Sequence, residues 1–179
     1  MASSMADLLW SDETELNSRE HLGNLVPVKV YRLLEYSVRD TLVKEYGQER
    51  ANELFRRAGM AAGKSLTMHS LKESLSLPPY AFFTHLRDLL RNLQMRNLQM
   101  GILQMERFDP ESGYMLLTMS EDLDCSGLPV LGETVCHYDE GFLAGVLQIY
   151  TGRRYRVKEI DCWATGSRTC RFEAHVEED

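Results

Sequence analysis

Residues 136–175 read CHYDEGFLAGVLQIYTGRRYRVKEIDCWATGSRTCRFEAH and contain the clearest structural signals in the chain. Apolar residues recur with a helical period as far as Tyr150, and Gly152 is well suited to end a helix. Two strand-like runs, Tyr155 to Ala164 and Thr169 to Val176, then surround a short turn that contains Gly166. These residues predict a helix from about residue 133 to 150, followed by an antiparallel hairpin.

Three helices are predicted upstream of this segment. The first begins at Pro27 and ends at Gly47, and the second has apolar and small residues on one face from Ala51 to Leu66. The third begins at the pair Pro78-Pro79 and has two identical copies of RNLQM near its end, at residues 91–100. Two five-residue copies are too short and too few for a repeat architecture, so they indicate a local duplication.

A first hairpin is predicted after the third helix. Its strands are expected at Ile102–Phe108 and Tyr114–Met119, on either side of the turn-forming sequence DPESG. The complete order predicts an α+β fold, with N-terminal helices packed on a four-stranded antiparallel sheet made of two hairpins separated by a helix. Residues 1–24 lack a sustained period and are expected to form a flexible arm, which leaves residues 25–179 as a single domain.

Composition and charge argue against several classes of function. The 179-residue chain has a formal net charge of −7, and its 20 basic residues are scattered along the sequence. Nucleic-acid binding requires a dense basic surface, so direct binding of nucleic acid is not expected. The sequence has no uninterrupted apolar run of membrane-spanning length, and its N-terminus is acidic where a signal peptide is basic. We therefore expect a soluble, cytoplasmic protein.

The four cysteines all lie in the last third of the chain, and four are too few for a disulfide scaffold in a reducing cytosol. Cys162 and Cys170 are each four residues from Gly166, so they are expected to face each other across the hairpin. Cys136 is expected in the first turn of the preceding helix, where the helix dipole favours a thiolate. These three thiols predict a metal site suited to zinc, whereas Cys125 is assigned to ordinary packing.

The residues alone leave the fourth metal ligand open. Glu159 lies three positions before Cys162, so it reaches the same face of the strand only if the strand has a bulge or begins late. Glu140 lies one helical turn after Cys136 and is a second candidate, and a water molecule is a third. A redox-active thiol pair and ordinary buried cysteines are the alternatives to a metal site.

The segment resembles the core of the 4-vinyl-reductase-type domain, also called a predicted hydrocarbon-binding domain. The resemblance rests on Cys136, Gly141 to Gly145, Thr151-Gly152, Glu159, Cys162, Ala164-Thr165-Gly166 and Cys170-Arg171-Phe172. It implies the fold of TRAPP subunits and of NO-signalling ligand-binding domains, in a homodimer that encloses an apolar cavity. In related sensor domains of aromatic-responsive bacterial activators, zinc is held by three cysteines and one glutamate. That resemblance implies zinc ligation by Cys136, Glu159, Cys162 and Cys170.

The function implied by the resemblance is a sensor or carrier for a hydrophobic or aromatic small molecule, with zinc in a structural role. The activators also contain an ATPase and a DNA-binding domain, which this sequence lacks, so direct activation of transcription is not expected. Residues expected to line the ligand pocket are Phe82, Phe83, His85, Leu86, Met115, Leu117 and Trp163, for which core packing is the alternative.

Two other functions remain open at this point. The first is a reductase or accessory protein of vinyl tetrapyrrole (bacteriochlorophyll) metabolism, although the sequence has no flavin, nicotinamide or nucleotide motif to support it. The second is a protein-interaction module without a ligand, in which the Ala/Gly face of the second helix forms a dimer surface.

Overall fold

The computed structural model describes residues 26–91 and 100–178. The expected arm at residues 1–24 and most of the RNLQM duplication lie outside these residues. The predicted α+β class is confirmed. The helices and strands are α1 (Val28–Tyr46), α2 (Gln48–Ser70), α3 (Pro79–Arg91), β1 (Ile102–Phe108), β2 (Met115–Ser120), α4 (His137–Thr151), β3 (Tyr155–Asp161) and β4 (Thr169–Val176), with short 3-10 helices at Lys72–Ser74 and Trp163–Thr165.

The four strands form one antiparallel sheet in the order β1-β2-β4-β3. Each hairpin pairs internally as predicted, and the pairing of β2 with β4 joins the two hairpins at the centre of the sheet. In that central pair Leu117 lies opposite Phe172, and both side chains are fully buried. The sheet therefore places the C-terminal hairpin directly beside β2.

Helices α2 and α4 pack with their backbones in close contact. A Cβ atom added at Gly59 or Gly63 of α2 would overlap the backbone of α4, and one added at Gly141 or Gly145 of α4 would overlap the backbone of α2. The Ala/Gly face of α2 is therefore an internal packing surface. The alternative that this face forms a dimer surface is wrong, because α4 already covers it.

Helix α1 lies against the segment between β2 and α4. The hydroxyl groups of Tyr31 and Tyr36 both donate hydrogen bonds to Asp124, and the Arg32 side chain donates to the carbonyl of Leu123. The opposite side of α1 is apolar and exposed, and its residue Leu33 is 72% accessible. Only one side of this helix therefore packs on the rest of the domain.

Across residues 26–91 and 100–178, none of the helices combines the length and apolar character needed to span a membrane.

Candidate metal centre

A bulge in β3 brings Glu159 and Cys162 to the same side of the strand. Glu159 pairs with Phe172, the next paired residue is Asp161, and the residue between them is left over in the register. Glu159 is 1% exposed and Cys162 is fully buried, whereas Ile160 between them is 44% exposed. The bulge that the sequence requires for these two residues to face the same way is therefore present.

The end of the last hairpin orients Cys162 towards Cys170. Asp161 pairs with Arg171, so the continuing register places Cys162 opposite Cys170, as the sequence predicts. The hydroxyl group of Thr165 accepts a hydrogen bond from the Cys162 N–H and donates one to the Cys162 carbonyl. Gly166 completes the turn with a φ of +99°, a left-handed conformation that glycine adopts without strain.

Cys136 is the residue that caps the N-terminus of α4, one position before the first helical turn in which the sequence places it. Its Sγ lies 3.8 Å from the Sγ of Cys162 and 3.9 Å from that of Cys170. Its backbone N–H donates a 3.0 Å hydrogen bond to Oε2 of Glu159. The three cysteines expected at the site therefore meet at one point, although they come from different elements.

Cys125 also belongs to this cluster, so its assignment to ordinary packing is wrong. It lies in the irregular segment between β2 and α4, and its Sγ is 3.2 Å from the Sγ of Cys170. A turn holds it there, because Oδ1 of Asp122 accepts hydrogen bonds from the N–H groups of Asp124 and Cys125. Neither periodicity nor hairpin spacing indicates this position, since the segment has no regular structure.

The four sulfur atoms are arranged as metal ligands are. They all lie within 4.8 Å of one another, and all four cysteines are buried and free of disulfide bonds. Tetrahedral zinc with Zn–S bonds of ~2.3 Å separates its sulfur ligands by about 3.8 Å, close to two of the measured distances. The donor set therefore fits, and this cluster can bind a metal ion.

The ionisation of the thiols depends on their mutual contact. A hydrogen bond with Cys125 raises the pKa of both Cys136 and Cys170, and hydrogen bonds with Cys125 and the other thiols lower the pKa of Cys162. One thiol therefore ionises readily and makes further ionisation of its neighbours costly. A bound divalent cation removes this penalty, because each thiolate then neutralises part of the cation charge.

The two glutamate candidates for the fourth ligand occupy different environments. Oε2 of Glu140 contacts Arg56 and His137, and its Oε1 accepts the Glu159 N–H at 2.9 Å and lies 3.2 Å from Lys158 Nζ. Both oxygens of Glu140 are thus engaged away from the thiols. In contrast, Oε1 of Glu159 is buried without a hydrogen-bond partner among the described residues. Ligation by Glu159 stays a prediction, with Cys125 as a competitor for the same position.

The residues expected to line a ligand pocket occupy three environments. Met115 and Leu117 of the sheet are buried in the core together with Phe82, Phe83 and Leu86 of α3. His85 is exposed, and its Nδ1 lies 3.0 Å from the hydroxyl oxygen of Ser74. Trp163 is half-buried, donates its indole N–H to the Leu128 carbonyl and stacks under Arg168. Their role in ligand binding stays a prediction.

Comparison with known proteins gives a match to one family and to related folds. Residues 115–176 match the family model of the 4-vinyl reductase (V-4-R) domain. An uncharacterized protein of Methanocaldococcus jannaschii is 27% identical over 158 residues, which cover 88% of this chain and 82% of that protein.

Solved structures share the fold over most of the chain. The phenol-responsive sensory domain of the transcription activator PoxR, solved with phenol, has a TM-score of 0.63 at 16% identity and covers 85% of this chain and 75% of its own. A vinyl-4-reductase family protein of M. jannaschii has a TM-score of 0.56 at 16% identity and covers 99% of this chain and 98% of its own. A trafficking protein particle complex subunit 3 of Naegleria fowleri, covalently bound to palmitic acid, has a TM-score of 0.61 at 10% identity and covers 84% and 95%.

An H-NOX protein of S. oneidensis has a TM-score of 0.54 at 14% identity and covers 80% of this chain and 72% of its own. The predicted kinship with the TRAPP subunit and NO-signalling folds is therefore confirmed. Residues 115–176, which include all four clustered cysteines, form a 4-vinyl reductase domain.

Proposed function

We propose that this chain binds a hydrophobic or aromatic small molecule and acts as a sensor or carrier, with a zinc ion that stabilises its fold. The observation that carries the proposal is the 4-vinyl reductase domain, in a fold shared with a sensory domain solved with phenol and a subunit covalently bound to palmitic acid. Both of those molecules are largely apolar. Residues 25–179 are proposed to form one ligand-binding domain, and a cytoplasmic location stays a prediction.

Zinc is proposed as the metal because a compact set of thiols favours it over hard cations such as magnesium. Cys136, Cys162 and Cys170 supply three ligands, and either Cys125 or Glu159 supplies the fourth. Four protein ligands close a tetrahedral shell and leave no position for an activated water molecule, so the proposed role of zinc is structural. The ion would hold the start of α4, the last hairpin and the segment after β2 together.

The proposed ligand site is a cavity of about 270 Å³ at one end of α4. Its wall includes Leu75, Phe108, Met115, Tyr150 and Tyr155. Met115 is one of the residues expected at the ligand pocket, and the ring of Tyr150 stacks on that of Phe82 at 3.9 Å, so the cavity adjoins the expected residues on α3. Sites for drug-sized ligands occupy roughly 300–1,000 Å³, so this volume suits a smaller aromatic molecule.

Thermal unfolding in the presence of phenol, with palmitate as a longer apolar probe, tests this function. A ligand that binds only the folded state raises the melting temperature in proportion to the logarithm of its concentration. Leu75→Trp fills the cavity and should abolish the phenol-dependent shift, whereas Tyr80→Trp changes an exposed residue outside the cavity wall and should retain it.

A shift with palmitate alone would support a carrier of long apolar chains at the expense of an aromatic sensor. If neither probe shifts the melting temperature of the wild-type chain, the sensor or carrier function is wrong and the interaction module is the better explanation.

A homodimer is proposed through the exposed apolar side of α1. Its residues Val30, Leu33, Leu34 and Val38 are 44% to 72% exposed and lie on one face of the helix. Contiguous exposed apolar surface of this kind is typical of protein interfaces. A second copy of the chain is the occupant that the resemblance implies.

Light scattering after size exclusion tests the dimer. The wild type should have twice the monomer mass, and a double variant with Leu33→Lys and Leu34→Lys should be monomeric. Met68→Lys, which places the same charge on an exposed apolar position of α2, should remain dimeric. A monomeric wild type at micromolar concentration would contradict the dimer.

A further inference from the structure

Two buried carboxylates beside the thiol cluster have free oxygen atoms. Asp122 and Asp139 are each 2% exposed. Oδ2 of each has no hydrogen-bond partner among residues 26–91 and 100–178. A buried carboxylate oxygen without a partner is costly, because it has lost its hydration without gaining a compensating interaction. These two oxygens therefore need a cation or a proton.

Both carboxylates are held in place by local structure. Oδ1 of Asp122 accepts the N–H groups of Asp124 and Cys125, which leaves Oδ2 as its free atom. Asp139 is in the first turn of α4, which Cys136 caps. A carboxylate oxygen of Asp122, one of Asp139 and the Sγ of Cys136 all lie within 4.8 Å of one another. This spacing is that of three ligands around one ion with bonds of ~2.0–2.3 Å.

No basic side chain neutralises these two carboxylates in the described part of the chain, where none of the ion pairs involves Asp122 or Asp139. The two nearby arginines are engaged elsewhere. Arg32 donates to backbone carbonyls in this segment, and Arg39 donates to the Val135 carbonyl and to the side chain of Asn52.

Burial raises the pKa of Asp122, and burial together with the neighbouring Asp124 and Asp122 raises the pKa of Asp139 well above its ordinary value. Negative charge therefore accumulates here without a positive partner.

We infer that Asp122, Asp139 and Cys136 bind a second divalent metal ion, so that the Cys136 thiolate bridges two metals. This inference rests on the metal site proposed above, because it shares Cys136 with that site. Two carboxylate oxygens and one thiolate form a mixed donor set of the kind that zinc accepts and that magnesium and calcium do not favour. The second ion compensates the charge of both carboxylates and supplies the partner that each Oδ2 lacks.

The zinc content of the reconstituted chain, measured by elemental analysis and native mass spectrometry, tests this inference. The wild type should contain two zinc ions per chain, and Asp139→Asn should contain one. Asp124→Asn is the matched control, since Asp124 is 3% exposed and lies in the same region but outside the three-ligand set. It should retain two ions.

The outcomes separate the two sites. One ion in the wild type, unchanged by Asp139→Asn, overturns the second site and leaves the thiol site intact; Asp139 then shares a proton with Asp122. Two ions retained in Asp139→Asn also overturn it. A chain without zinc overturns both sites together. If Asp139→Asn does not fold, the wild-type count decides by itself, because a single ion contradicts the inference.

Discussion

The Sγ of Cys125 lies 3.2 Å from the Sγ of Cys170, although 45 positions separate the two residues in the chain. This contact joins the irregular segment after β2 to a central strand of the sheet. Because α1 donates its hydrogen bonds to the same segment, the position of Cys125 links the thiol cluster to the N-terminal helix as well. The metal site is therefore connected to both the helices and the sheet.

Substitution of the two competitors should identify the fourth ligand. We expect Cys125→Ser to weaken zinc binding more than Glu159→Gln, because Oε2 of Glu159 already accepts the Cys136 N–H and the four sulfur atoms by themselves form a complete ligand set. Loss of an orienting hydrogen bond costs about 10–100-fold in affinity. Competition with a chromogenic chelator measures both values. A larger loss in Glu159→Gln would instead assign the fourth position to glutamate, as the spacing implies.

Removal of the metal should destabilise the C-terminal part of the domain. Structural zinc contributes several kcal/mol to folding, which is comparable to the whole stability of a typical domain at ~5–15 kcal/mol. A strong chelator should lower the melting temperature and increase amide exchange in residues 121–136 and 155–176. Re-addition of zinc should reverse both effects. An unchanged melting temperature in chelator would contradict a structural role for the metal.

Gly141→Ala should destabilise the contact between α2 and α4. The new Cβ would overlap the carbonyl of Arg56, and backbone atoms cannot move aside as side chains do. Such overpacking costs roughly 3 kcal/mol, or about 6–12 °C in melting temperature for a domain of this size. Ala61→Ser adds one atom on the exposed side of α2 and should have little effect. Equal melting temperatures for both variants would mean that the helices are not in close contact.

Glu140 should make stability depend on pH in the acid range. Burial alone would raise the pKa of Glu140, but hydrogen bonds with His137, the Glu159 N–H and Arg56 outweigh burial and lower it to about 2, below its ordinary 4.5. Its contribution is therefore fully present above pH 4.5 and is lost as the pH falls towards 2. In excess zinc, the stability difference between wild type and Glu140→Gln should narrow by about 1 kcal/mol from pH 7 to pH 4.

The exposed Glu53→Gln provides the control for that measurement. Its stability difference from wild type should stay constant over the same pH range in urea unfolding. If Glu140→Gln behaves in the same way, the carboxylate does not lose a favourable charged interaction on protonation.

Much of the secondary structure follows from local patterns. The strands Ile102–Phe108 and Thr169–Val176 have the predicted bounds, because both are alternating runs next to turn-forming residues. The predicted start of α4 lies four residues early, since Glu133 and its neighbours have helical character but belong to the segment that positions Cys136. Similarly, the predicted third strand continues past Asp161, where the chain instead forms a 3-10 turn at Trp163–Thr165.

The fold class and the meeting of Cys136, Cys162 and Cys170 can be predicted from the amino-acid sequence alone. Hairpin register and helix capping are local properties, so spacing along the chain is sufficient to place these residues. The positions of Cys125, Asp122 and Asp139 around that site are apparent only in the folded molecule. They depend on the pairing of β2 with β4 and on the docking of α1 and α4, which bring together residues that no local period relates.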